Sequence, residues 1–226
     1  LSNRWSDAVK PAIALLRQQT PAQQENTLLQ LQALLAKAKD ESDALRAFYE
    51  IASTVKIAPK DPGLLYTYAM SAEKVGRIDV MEKTLRGILR KYPNDVNSLN
   101  ALGYSLADRN VQLPEAFALI SKAHQLSPKD SFILDSLGWV NFRLGKNALA
   151  LEQLQQAFAM KPEADIAAHV GEVLWVMNRQ SEAEEIWRQG QKLDANNPTL
   201  KETLKRFKPD WTRDDQTAKG SWDGRF

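Results

Sequence analysis

The sequence predicts an all-α protein: a right-handed α-α solenoid of about five helix pairs, with a leading helix before them and a short cap helix after. Three observations predict it. Prolines recur almost evenly, at Pro59, Pro93, Pro128 and Pro162, with spacings of 34, 35 and 34 residues. Three of these prolines sit in near-copies of one phrase: Ala-Pro-Lys-Asp at 58–61, Tyr-Pro-Asn-Asp at 92–95 and Ser-Pro-Lys-Asp at 127–130. Small and apolar residues repeat in register with them. A period of this length marks a helix–turn–helix array. Proline cannot continue a helix, and the aspartate after it is suited to cap the next one.

The elements follow in order. Val9, Ile13, Leu16 and Pro21 fit the second helix of a repeat whose first helix is missing, so residues 1–21 read as a truncated repeat. On that reading the chain begins inside an array; the alternative is an unusual N-terminal cap helix. The Val9, Ile13 and Leu16 stripe is then expected to lack cover on one side and to drive self-association through residues 1–20. Residues 22–208 read as the solenoid and its cap. Leu31, Leu34, Leu35, Ala47, Ile51 and Pro59 hold the offsets of the first full copy. Leu65 and Ala69 open the next.

Three closer copies follow. Leu99, Leu102 and Gly103 match Leu134, Leu137 and Gly138, and then Ala167, Val170 and Gly171. Downstream comes a small residue and a bulky one four later: Ala116 and Ile120, Ala150 and Leu154, Ala183 and Trp187. Four residues is about one turn, so each pair shares a face. The small residue admits a neighbouring helix and the bulky one fills the gap beside it. This is the tetratricopeptide repeat pattern, with an apolar residue mostly in place of its usual first Trp. Gly76 and Gly145 fall in the turns between paired helices. Pro198 to Phe207 reads as the cap, with Lys201, Glu202, Lys205 and Arg206 as a polar outer face. After Pro209 the period stops. Residues 209–226, with Trp211, Trp222 and Phe226, read either as a mobile tail or as a strap laid back on the solenoid.

Composition narrows the function. Thirty basic side chains against 28 acidic leave +2, with no run of like charge, so neither nucleic acid nor an anionic membrane surface is an expected partner. No apolar stretch approaches the roughly 20 residues of a membrane span. There is no cysteine, which removes disulfide and thiol chemistry. The two histidines, His124 and His169, lack metal-ligand spacing and read as structural. The glycines near-periodic at 103, 138 and 171 are packing positions rather than a phosphate loop. Glu182, Glu184, Glu185, Asp214 and Asp215 read as solvated charge. No nucleophile–base pair stands out, so no enzyme, metal or cofactor is expected.

The candidate site is the face lined by the first helix of each repeat. Tyr66, Met70, Asn100, Tyr104, Asp135, Trp139, Phe142, Arg143 and Trp175 are its expected partner-binding residues. Tyr104, Trp139 and Trp175 fall at near-equivalent positions, as in an aromatic ladder. Aromatics flanked by amides and charges suit a peptide or protein groove. The alternative is that Trp139 and Phe142 pack against the neighbouring first helix.

The run Leu99-Asn-Ala-Leu-Gly-Tyr-Ser-Leu-Ala-Asp, then Pro114-Glu-Ala, Ile133-Leu-Asp-Ser-Leu-Gly-Trp-Val and Ala167-Ala-His-Val-Gly-Glu-Val-Leu-Trp, resembles the C-terminal half of large tetratricopeptide lipoproteins of Gram-negative bacteria. The likeness is close over about 95–195 and generic before 60. It implies a periplasmic, outer-membrane-anchored adaptor, its lipid anchor outside this chain. It also implies a C-terminal processing protease as partner, activated and supplied with cell-wall hydrolases. Two other readings stand beside it: a scaffold for pilus, outer-membrane or peptidoglycan machinery, and a cytoplasmic co-chaperone module. The last calls for a basic groove, and only Lys74 and Arg143 are basic among the inward positions.

Overall fold

The computed structural model describes residues 5–35, 37–55, 61–208 and 211. Among them the backbone forms twelve α-helices and no strand. They are α1 (Trp5–Leu16), α2 (Pro21–Leu35), α3 (Glu41–Ala52), α4 (Pro62–Lys74), α5 (Ile78–Lys91), α6 (Val96–Asp108), α7 (Leu113–Leu126), α8 (Ser131–Arg143), α9 (Asn147–Met160), α10 (Ala164–Val176), α11 (Gln180–Leu193) and α12 (Pro198–Phe207). Residues 58–60 of the first repeated phrase lie outside the described residues. So do Pro209, Asp214, Asp215, Trp222 and Phe226.

The repeated aspartates do what their position demands. Asp61 accepts from the Leu64 amide at 2.8 Å, Asp95 from Ser98 at 2.8 Å, and Asp130 from Phe132 and Ile133 at 2.9 and 3.2 Å. Each satisfies donors that a helix N-terminus otherwise leaves unpaired. The turns inside the pairs need a left-handed residue. Gly76 (φ 76°) and Gly145 (φ 78°) supply it in two of them, and Asn110 (φ 57°) and Asn178 (φ 61°) take the same role in two others.

Two compact units divide the chain, Leu1–Leu102 and Gly103–Phe226, and the boundary falls within α6. In the first unit α4 and α5 form a close pair, while α1 packs chiefly on α3. Val9, Leu16, Leu28, Phe48, Ile51 and Leu64 make one core, with Ile13 and Trp5 packed at its edge. The Trp5 amide donates to Asp43 at 2.9 Å and fixes the start of α1. The stripe expected to be uncovered is therefore turned inward: Val9 is 5% exposed and Leu16 fully buried. The apolar face of this amphipathic helix packs chiefly on α3 within its own unit.

In the second unit the pairs α8–α9 and α10–α11 pack most closely. A Cβ on Gly138 would stand 2.6 Å from Leu154 Cγ, and one on Gly171 only 2.0 Å from Trp187 Nε1. Gly103 meets Ile120 Cγ1 at 2.6 Å in the same way. Ala116, Ala150 and Ala183 are fully buried. The bulky residue of each small–bulky pair thus rests on the glycine of the facing helix. Fully burying a side chain of that size stabilises by about 1.5–3 kcal/mol. α12 caps the unit on α10, started by Asn197, which accepts from the Leu200 amide at 2.9 Å. Lys201, Glu202 and Lys205 point to solvent. Arg206, expected beside them, instead reaches Glu172 at 2.6 Å.

Candidate functional site

Two of the nine expected binding residues line a real groove. In the first unit Tyr66 and Met70 on α4 border a cavity of about 930 Å³, closed by Leu35 of α2 and by Leu45 and Arg46 of α3. Gln32 of α2 ties the wall to α4, donating to Gly63 O at 3.1 Å and Thr67 Oγ1 at 2.8 Å. Both first helices are thereby held in register. Tyr66 is half-buried. Burial, and then the carboxylates of Glu73 and Asp95, hold its phenol above the ordinary range, so it stays a neutral hydrogen-bond donor. Glu41, Glu73, Arg46 and Lys74 put both signs of charge on the rim. An apolar floor with a mixed polar rim suits an extended peptide or a protein loop.

The residues expected to form the aromatic ladder are spent elsewhere in the second unit. Trp139 is 3% exposed, so it is interior and not a free anchor. Its indole stacks on the His169 ring at 4.2 Å and donates to Asp108 Oδ1 at 3.3 Å. Asp135 is 6% exposed and accepts from His169 Nδ1 at 2.9 and 3.1 Å. Tyr104 Oη lies 3.4 Å from His169 Nε2. Phe142 is half-buried with its ring 5.3 Å from Trp139. Arg143 sits 5.4 Å over the Trp139 ring and donates to Ala107 O and Asp108 O at 3.2 and 2.8 Å. These contacts lock α6, α8 and α10 side by side. Trp139 packs against the neighbouring first helices, as the alternative expects, whereas Phe142 rests on Trp139 of its own helix.

Trp175 is half-buried and stacks on Trp187 at 5.6 Å, with Phe207 of α12 6.0 Å away and the Lys208 ammonium 5.6 Å over its ring. Lys208 also reaches Glu184 at 2.6 Å. The Arg188 guanidinium lies 4.9 Å over the Trp211 ring. Asn100 is half-buried, and its Oδ1 is enclosed with no hydrogen-bond partner among the described residues.

Sequence reasoning missed the partnership of His169 with Asp135. The signal was partial: the two are 34 residues apart, within one residue of the 33-residue offset between these copies, so they fall at neighbouring rather than identical places on successive first helices. Burial alone would push the His169 pKa down. The carboxylate of Asp135, its hydrogen bond, and then Asp108 and Glu172 more than reverse this, and the imidazole is held above its ordinary value. A charged imidazolium between a carboxylate and an indole face is well placed, because both attract a cation. Among the described residues no three histidine, aspartate or glutamate side chains are placed to share a metal ion. No helix of the described residues is long and apolar enough to cross a membrane.

No family model matches the chain. Over 152 residues, 67% of its length, it is 43% identical to the TPR repeat-containing protein PA4667 of Pseudomonas aeruginosa. It is 28% identical over 159 residues, 70% of its length, to the cellulose synthase 2 operon protein C of Komagataeibacter xylinus. The chain spans about a quarter of the first relative (26%) and 12% of the second. In fold it is similar to the thermophilic TPR protein TTC0263 of Thermus thermophilus, with TM-score 0.61 and 21% identity over 80% of this chain and 95% of that one. MamA of Desulfovibrio magneticus follows with TM-score 0.56 and 19% identity, over 80% and 98%. Fold and sequence together make this a tetratricopeptide repeat protein, and repeats of this kind serve as scaffolds for protein–protein interaction.

Proposed function

We propose that this chain is a non-catalytic adaptor of the bacterial cell envelope that holds a C-terminal processing protease and presents cell-wall hydrolases to it. The observation that carries the binding part is the Tyr66–Met70 groove, a preformed apolar floor rimmed by charge of both signs. The envelope part rests on the resemblance of residues 95–195 to tetratricopeptide lipoproteins and on the 43% identity to a Pseudomonas repeat protein. Outer-membrane anchoring and a periplasmic location belong to the same reading. A second reading is a scaffold for envelope assembly. It is favoured by the relative whose name places it in a cellulose synthase operon.

The test uses the purified chain and a purified C-terminal processing protease. Added chain should raise the rate at which the protease cleaves an unfolded protein substrate, and Tyr66→Ala with Met70→Ala should abolish the gain. Direct binding without stimulation favours the assembly reading. No binding and no stimulation rejects the protease partner.

A further inference from the structure

In the second unit, α9 and α11 both pack on α10 and leave a slot of about 480 Å³ between them. Its apolar surface comes from Phe158, Val170, Leu174 and Ile186. Val170 and Leu174 are 1% and 2% exposed and form the floor. The polar rim is one-sided in charge: Glu182 and Glu185 line it, and no lysine or arginine does. Glu182 is engaged by Arg179 at 2.6 Å. Glu185 is exposed and, among the described residues, accepts a single 3.3 Å bond, from the Gln189 amide. A carboxylate with no cationic partner among the described residues, at the lip of an apolar slot, selects a cationic visitor. All three walls are helices, so their backbone groups are already satisfied and offer no edge for an added strand. A helical segment brings its backbone bonds already made and can lay an apolar face between α9 and α11.

We infer that the slot between α9 and α11 is a second binding surface, and that it takes a basic amphipathic helix of a partner protein. An apolar side chain seats between Phe158 and Ile186, and a lysine or arginine one turn away pairs with Glu185. This surface lies in a different unit from the Tyr66–Met70 groove and does not depend on that reading. Two binding surfaces on one chain are what an adaptor requires.

The experiment uses the full chain and two labelled helical peptides carrying the same Leu and Trp stripe, one flanked by lysine and arginine, the other by glutamate. Fluorescence anisotropy should show the basic peptide bound and the acidic one weaker by on the order of tenfold or more. Glu185→Lys should weaken the basic peptide by a similar factor and improve the acidic one; this exposed position leaves folding intact. Ile186→Ser, with helical content checked by circular dichroism, should weaken both. Tyr66→Ala should change nothing. Loss on Tyr66→Ala would place the peptide in the other groove and overturn the inference while sparing the proposed function. Equal binding of the two peptides, or of neither, overturns it. So does a concentration-dependent dimer that Ile186→Ser abolishes, which would assign the slot to a second copy.

Discussion

Replacing His169 tests whether the second unit is held by a buried ion pair. In His169→Gln the Asp135 carboxylate, 6% exposed, loses its cationic partner. Trp139 loses the charged face stacked 4.2 Å above it. Breaking a buried pair by removing one partner costs about 3–5 kcal/mol, because the remaining charge stays desolvated. For a chain of this size that corresponds to a drop in melting temperature of roughly 10 °C. The pH dependence gives a sharper readout. The folded pKa is raised, so at pH below about 6.5 the imidazole is charged folded and unfolded alike, and the pair contributes fully. As pH rises through the folded value the native state gives up its proton and the contribution is lost. Thermal melts across pH 6 to 9, followed by circular dichroism, should show the parent losing stability with rising pH and His169→Gln nearly flat. Parallel curves, or equal melting temperatures near neutral pH, would refute the pair. Asp135→Asn should show the same flattening, and the double variant should cost less than the sum of the two.

Other outcomes follow from the packing. Trp139→Ala should lower stability by about 3–5 kcal/mol, since it empties a buried site, and any loss of partner binding should track the melting temperature. Ala150→Leu should overpack the contact with Gly138 and destabilise by roughly 1–3 kcal/mol in a thermal melt. Arg206→Ala leaves the buried Glu172 carboxylate unpaired; because the arginine is half-exposed the cost should be nearer ~1–2 kcal/mol, seen as easier acrylamide quenching of Trp175 as α12 loosens. Tyr66→Ala with Met70→Ala should weaken partner capture by on the order of tenfold without moving the melting temperature, which a titration beside a melt will show.

The fold was legible because its determinants are local and repeated. A proline stop, an aspartate cap and a glycine opposite a bulky residue act within one or two turns. Three or four copies of each fix the register, as Asp61, Asp95 and Asp130 show by capping successive first helices. The face of each helix was legible for the same reason: Tyr104, Asp135, Trp139 and His169 do lie toward one another. What periodicity cannot state is whether a face is empty. Occupancy depends on how near the next helix stands and on what it carries at the matching place. Asp135 alone looks like a hydrogen-bonding surface residue; Asp135 with a histidine one repeat later is a bond between helices. The same holds at the ends. Val9 and Leu16 look unpartnered until α3 is packed on them, and Trp175 looks free until α12 brings Phe207. In the second unit, then, the first-helix aromatics maintain the stack. On the proposed reading, recognition falls to positions whose neighbours leave space, the groove at Tyr66 and Met70 and the slot beside Glu185. In a repeat array the residues open to binding are those at which one copy lacks the partner its siblings supply.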